Sequence, residues 1–395
     1  MPGVTRAGLE RLHRALSARV ERRELPGLVT LVAQGDAVHV DPIGLTAFGS
    51  GEPMRRDSVF RIASLTKPML AAVTLMLVEE GRLALDEPVD RLLPELADRR
   101  VLERIDGPLD QTRPAARPIT VEDLLSSRMG YGAIFDPSFE PPYPVIEAAN
   151  ALELVTMPPT PDPRIRHTPD AWLARFATLP LMAQPGERWL YNAPYLVLGI
   201  LVARAAQQAL PTAFQQRLLD PLGMAETGFS LPAHVTRRLP GYYLRNPQTG
   251  ELELQSTSTP DDWSRAPIFP SGAGGLLSTV DDLLTFGRFL LARGVHGGRR
   301  LLSERSVELL TSNHLSTAQI ADAGMMLAGN GWGYGMAVVP ASANLAPGSY
   351  GWSGGFGTNW LNLPSRDLVA VFMTQTVDVM FNGTVGEFVA LAVDA

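Results

Sequence analysis

A run that is apolar on every side, Leu70 to Val78, lies between Pro68 and the sequence Glu79-Glu80-Gly81. A segment of that length with no polar stripe has no face to give to water. It reads as a helix enclosed by the rest of the chain, with the glycine just past its C-terminus. Pro68 sets the other end. Proline has no N–H and is accommodated only in a first turn, so helical geometry can begin only near Ser64. The fold must therefore surround this helix completely, and whatever stands in its first turn is held at a buried helix N-terminus.

Two residues in that turn carry chemistry. Lys67 is the only lysine among 395 residues; every other permanently charged basic side chain is arginine. Arginine keeps its proton at any pH a cell reaches, whereas burial or nearby cations can drive a lysine to its neutral amine. An arginine-biased composition could leave one lysine by chance, but this one follows Ser64 by three positions, one turn away on the same helix face. A serine hydroxyl is a weak nucleophile until a base takes its proton. Making lysine that base at pH 7 costs roughly 4 to 5 kcal/mol from a reference pKa near 10.4, unless the site lowers the pKa. Burial supplies the lowering, and helix N–H groups aimed at the same point oppose a positive charge. The same N–H groups favour an oxyanion forming beside Ser64.

The remaining pattern gives an α/β (α+β) chain. Leu9, Leu12, Leu16 and Val20 recur at helical spacing, and Leu28 to Ala33 with Ala37 to Val40 read as a hairpin about Gln34-Gly35-Asp36. Thr120 with Asp123 resembles a capping box for a helix through Arg128, and Thr279-Val280-Asp281-Asp282 opens another that runs to Arg293-Gly294. Nine prolines between Pro137 and Pro169 predict a long loop or a pair of loops. After Gly331, strands are expected at Trp332–Val339, Ser349–Trp352, Thr358–Leu363 and Leu368–Thr374, then a last helix over about Val385–Val393. Short turns between them imply an antiparallel sheet flanked by helices and built from both termini. The expected division is an α/β domain of residues 1–95 and 265–395, interrupted by a mostly helical domain of residues 96–264 that carries the Pro-rich loop 137–169.

Composition excludes several classes of function. A formal charge of −7 with no basic stripe argues against nucleic acid. No apolar run approaches the roughly 18 residues that span a bilayer. The amphipathic, charged segment Thr5 to Arg23 lacks the apolar core of a secretory signal, so a cytoplasmic location and no membrane partner are expected. With no cysteine there is no disulfide, thiolate metal site or cysteine nucleophile. The histidines His13, His39, His167, His234, His296 and His314 are scattered without ligand spacing, so neither a metal nor another cofactor is expected.

With Ser64 and Lys67 go two further motifs, Pro185-Gly186-Glu187-Arg188-Trp189-Leu190-Tyr191-Asn192-Ala193 and Gly351-Trp352-Ser353-Gly354-Gly355-Phe356-Gly357. In this order and spacing the chain resembles the superfamily of serine β-lactamases and penicillin-binding proteins. It is most similar to the class C branch, and within that to the family VIII carboxylesterases. Leu25-Pro26-Gly27, Asp86-Glu87-Pro88-Val89 and the segment Ser271 to Thr279 extend the resemblance over nearly the whole chain. It implies a β-lactamase/transpeptidase-like fold and an acyl-enzyme on Ser64. It also implies that Tyr191 takes the serine proton, passes it to the leaving group and later activates water, titrating as a coupled pair with Lys67. Trp352, Ser353, Gly354 and Gly355 are implied as the oxyanion and substrate-binding strand, with Gly355 giving the second oxyanion N–H.

Two departures point towards esters. Lactamases usually carry asparagine two residues after the tyrosine, where this chain has Ala193, with Asn192 one place early. They usually open the third motif with lysine or histidine, where this chain has Trp352, an apolar wall. A small-molecule carboxylic ester is therefore the expected substrate; a β-lactamase, an acyltransferase of the same fold and a pseudoenzyme that only binds are the alternatives. Gly351-Trp352-Ser353-Gly354-Gly355 also fits the nucleophile elbow Gly-x-Ser-x-Gly. That motif needs a later histidine, and the last one, His314, precedes it.

Overall fold

The computed structural model describes residues 4–134, 143–154, 165–255, 259–340 and 345–395. Its centre is a seven-stranded antiparallel sheet. The strands are β1 (Gly27–Gln34), β2 (Ala37–Gly44), β3 (Gly331–Trp332), β4 (Ala337–Val338), β5 (Tyr350–Gly354), β6 (Thr358–Leu363) and β7 (Leu368–Met373), in the spatial order β3-β4-β5-β6-β7-β1-β2. The two ends of the chain meet where β1 pairs with β7, Val29 opposite Met373 and Leu31 opposite Val371. Every residue of β1 from Gly27 to Ala33 is buried, whereas β2, at the edge, buries only Ile43. A strand covered on both faces has no reason to alternate, which is why β1 reads as a continuous apolar run.

Helices α1 (Arg6–Glu21), α2 (Thr66–Glu79), α3 (Val121–Leu125), α4 (Pro144–Ala151), α5 (Pro169–Phe176), α6 (Ala193–Ala206), α7 (Val280–Leu291) and α8 (Thr384–Val393) carry the rest of the argument. On one face of the sheet, Leu12 and Leu16 of α1 and Phe388 of α8 cover Leu28, Val32, Leu361, Leu368 and Phe372. On the other, α7 packs Phe286 against Trp360, and α2 lies behind it. Helix α2 buries every residue from Thr66 to Leu77, and Gly81 beyond it takes φ +70°. Its far side rests on α6, the other all-round apolar helix. Residues between the two halves of the sheet supply α3, α5, α6 and a helical run over 210–222, with two short ribbons at 100–114 and 243–254. No single helix among the described residues is long and apolar enough to cross a membrane.

Three expectations need correction. The prolines of 137–169 do not mark loop throughout, because Pro144 occupies the first turn of α4, where its missing N–H costs nothing, and Val145 and Ala149 bury one face. The flanking parts of that span, 135–142 and 155–164, lie outside the described residues. The capping box Thr120–Asp123 is present, but α3 stops at Leu125, with Ser127 at φ +60° turning the chain away before Arg128. The strand expected over Trp332–Val339 is instead two strands, β3 and β4, joined by a tight turn in which Gly333 N donates to Met336 O at 2.9 Å. Gly335 in that turn has φ +83°, and a Cβ there would stand 2.7–2.8 Å from the backbone of Lys67 and Pro68. The turn is thus seated on the first turn of α2.

Candidate active site

Ser64 lies in a short 3-10 turn, Ala63–Leu65, that runs directly into α2, and Lys67 follows as the second residue of the α-helix. Pro68 is third in that helix, so the expected start near Ser64 is what the backbone adopts. Two neighbours brace the turn. Thr66 Oγ1 donates to Ala63 O at 2.7 Å and accepts from Leu276 N at 3.2 Å, which ties the turn to the glycine-rich segment 271–279. Thr358 Oγ1 of β6 donates to Ile62 O at 3.1 Å. Beside it Gly354 must lack a side chain, since a Cβ would stand 2.2 Å from that same Ile62 oxygen. The third motif is therefore pressed against the residues that precede the serine.

Lys67 is fully buried, and its Nζ lies 2.9 Å from Ser64 Oγ, 2.7 Å from Asn192 Oδ1 and 2.7 Å from Ala273 O. Burial alone drives its pKa far below that of an ordinary lysine, because an ammonium there has left water without gaining a counter-charge. Tyr191 is held by a backbone bridge to Ala133 (2.9 and 3.1 Å), and its ring centre is 4.4 Å from the lysine nitrogen. The phenol is hydrogen-bonded to Ser64 and accepts the indole N–H of Trp352 at 2.7 Å. Burial raises its pKa above the ordinary phenol value, and those two hydrogen bonds oppose the rise. Ser64, Lys67 and Tyr191 thus come together in one continuous hydrogen-bonded chain.

The four residues singled out in the third motif differ in their surroundings. Trp352 is more than an apolar wall, since its N–H is aimed at the Tyr191 oxygen, while Trp332 packs edge-on against it at 4.7 Å and Trp189 stacks on the tyrosine at 5.4 Å. Ser353 alternates to the other side of the strand and accepts from Asn359 Nδ2 at 2.8 Å. Gly354 is covered, as described. Gly355 is exposed with open space above its Cα. Among the described residues no acceptor takes the backbone N–H of Ser64 or of Gly355. Ser353 sits in a strand that turns back into β6, so the alternative elbow has no helix to follow it.

Sequence reasoning missed two partners of the amine. Asn192 stood out only as a residue in the wrong place, and Ala273 contributes a main-chain carbonyl that no side-chain pattern reveals. Among the described residues no group of three histidine or acidic side chains could hold a metal ion.

A buried helix opening on a serine and a lysine, a tyrosine from the segment before α6 and a glycine-rich strand define a serine acyl-transfer scaffold. A family model described as Beta-lactamase matches residues 12–394, and the chain belongs to that family. Within it the chain lies close to the carboxylesterase and acyltransferase branch. It is 37% identical over 362 residues to Protein Rv1367c of Mycobacterium tuberculosis, covering 89% of this chain and 86% of that one. It is 29% identical over 385 residues to Esterase EstB of Burkholderia gladioli, covering 93% and 90%. Among solved structures, EstCE1, a hydrolase with promiscuous acyltransferase activity, superposes with a TM-score of 0.78 at 24% identity, covering 98% of both chains.

Proposed function

We propose that this protein hydrolyses carboxylic esters through an acyl-enzyme on Ser64, with Lys67 and Tyr191 moving the protons. The observation that carries the reading is the 2.9 Å contact between the serine oxygen and a lysine amine whose proton affinity burial lowers well below the ordinary lysine value. As Ser64 Oγ bonds to the ester carbonyl carbon, its proton passes to the Lys67–Tyr191 pair. The carbonyl oxygen takes the negative charge between the N–H groups of Ser64 and Gly355, a kind of stabilisation worth about 3 to 4 kcal/mol per donor elsewhere. The carbon–oxygen bond to the alcohol then breaks, and the pair returns the proton to that oxygen. Water repeats the sequence on the acyl group, and Ser64 regains its hydrogen.

Likeness to an enzyme named as an esterase supports this reading. Ala193 and Trp352 support esters over lactams, since neither offers a polar handle to a lactam side chain or carboxylate. Acyl transfer to an alcohol would use the same groups, and adding a second alcohol to the assay separates the two outcomes by product. The primary test is a fluorophosphonate probe with short-chain aryl esters beside a chromogenic cephalosporin. Labelling of Ser64, ester turnover, an intact cephalosporin and loss of turnover by about a thousandfold or more in Lys67→Arg are expected. An unlabelled protein, or a Lys67→Arg variant with near-normal turnover, would overturn the reading.

A further inference from the structure

Just past the end of β7, the side chain of Gln375 is buried and fully used inside the protein. Its Oε1 accepts from Arg61 N at 3.1 Å and from Arg61 Nη1 at 3.0 Å. Its Nε2 donates to Thr374 O at 2.8 Å and lies 3.4 Å from both Arg61 O and Phe356 O. A side-chain amide has two N–H groups. One is taken by Thr374, and the other is left equidistant between the carbonyls of Arg61 and Phe356.

Those two carbonyls belong to the segments that carry the N–H groups of Ser64 and Gly355. Phe356 directly follows Gly355. Arg61 precedes Ser64 by three residues, and the chain between them has no slack: Ile62 N donates to Leu276 O at 3.0 Å, and Ala63, at φ +46°, gives its carbonyl to Thr66. A shift of Arg61 therefore reaches Ser64. Among the described residues no backbone hydrogen bond joins residues 62–65 to residues 353–358. Side chains span the gap instead, Thr358 through Ile62 O and Gln375 through Arg61. Ala63, Tyr242 and Phe356 also pack together, the two rings edge-on at 5.4 Å, but apolar packing has no direction of its own. Hydrogen bonds do.

We propose that Gln375 is a positioning residue that sets how the N–H groups of Ser64 and Gly355 converge on the oxygen of the reacting carbonyl. This rests on the ester-cleaving reading. Such donors act at about 2.7 to 3.1 Å from the oxyanion, so a small change in their separation is felt mainly in the transition state. Arg61 is the arm through which the amide acts on the serine side. It is buried, with its guanidinium over the Trp263 ring and Nη1 also donating to Pro240 O at 3.2 Å.

Two variants test the bridge. Gln375→Met keeps the length and removes the amide, whereas Gln375→Glu keeps an acceptor for Arg61 and loses the donor that lies between the two carbonyls. In both, kcat per fluorophosphonate-labelled serine is expected to fall about tenfold or more, with KM within about threefold because acylation and deacylation use the same pair of N–H groups. Counting labelled sites removes the contribution of any unfolded fraction. A thionoester supplies the readout that a merely loosened core would not move. It places sulfur, a larger and weaker acceptor, where the oxyanion forms, so the preference for the oxygen ester over its thionoester should narrow about threefold or more in both variants. A wild-type kcat per labelled site in either variant, an unchanged preference, or failure of both variants to fold would overturn the assignment. Unlabelled Ser64 in the wild type defeats ester cleavage itself, whereas a labelled wild type with an unchanged preference in the variants defeats only the role of Gln375.

Discussion

Lys67 costs the folded state something that its chemistry explains. In the native protein burial holds its pKa well below the ordinary value, while in the unfolded chain it titrates as a normal lysine. Between those two values the unfolded state binds more protons, so stability rises with pH there, by up to about 1.4 kcal/mol per unit. Lys67→Met removes the titration. The melting temperature of the wild type should therefore gain on that of Lys67→Met from pH 7 to pH 9.5; parallel curves would mean a charged lysine in the fold. That Ser64 and Lys67 would meet was readable because side-chain type and spacing encode it, and Tyr191 came with the resemblance that its motif carries. Asn192 was not legible, since its backbone, at φ 72° and ψ −58°, sends its side chain across a gap that spacing does not measure. The Trp352 N–H was likewise hidden, because only a distance shows that an apolar ring also donates to a phenol.

At the scale of elements, the legible ones had a single period and a clear stop. Helix α2 with Pro68 and Gly81, α1 with its leucine stripe and β1 as a two-sided strand follow from local pattern. The misread ones depended on tertiary use of the same residues. Pro144 starts a helix because apolar neighbours dock it, and Gly333 to Gly335 fold a strand-like run into a turn because α2 offers a seat. That seat makes a prediction. Gly335→Ala combines a positive φ with a Cβ against immovable backbone, and should cost about 2 kcal/mol or more and lower kcat by displacing the turn that carries Lys67. Gly386→Ala is the contrast. That position is inside α8 with nothing within 4 Å of a new Cβ, so the change should stabilise by about 0.5 to 1 kcal/mol and leave turnover alone. Thermal melts and ester turnover of both variants check the pair, and equal melting of Gly335→Ala and the wild type would mean that the seat is not tight.

The whole molecule depends on how the intervening chain rejoins the sheet-bearing part. Antiparallel strands at both ends and helices between them were visible in the sequence, because short turns permit only neighbouring antiparallel pairs. The seam was not, because it is made of hydrogen bonds between segments that pattern cannot align. Gly228 and Leu277 exchange backbone hydrogen bonds at 3.1 and 2.9 Å, and Asp282 of α7 accepts from Glu226 N at 3.0 Å and Thr227 Oγ1 at 2.8 Å. Burial raises the Asp282 pKa to about 6; the Thr227 and Glu226 hydrogen bonds oppose that, and the charges of Glu226 and Asp281 add to it. Between the unfolded carboxyl value and 6 the native state therefore binds the extra proton, so stability is lost as pH rises through that window. Both donors converge on one oxygen, which an asparagine carbonyl can replace without charge. Asp282→Asn should melt with the wild type near pH 4 and above it at pH 7, by on the order of 1 kcal/mol after allowing for partial exposure and the lost favourable charge at the start of α7. A variant less stable than the wild type at both pH values would show that Asp282 closes the seam as a carboxylate, through a charge that α7 needs.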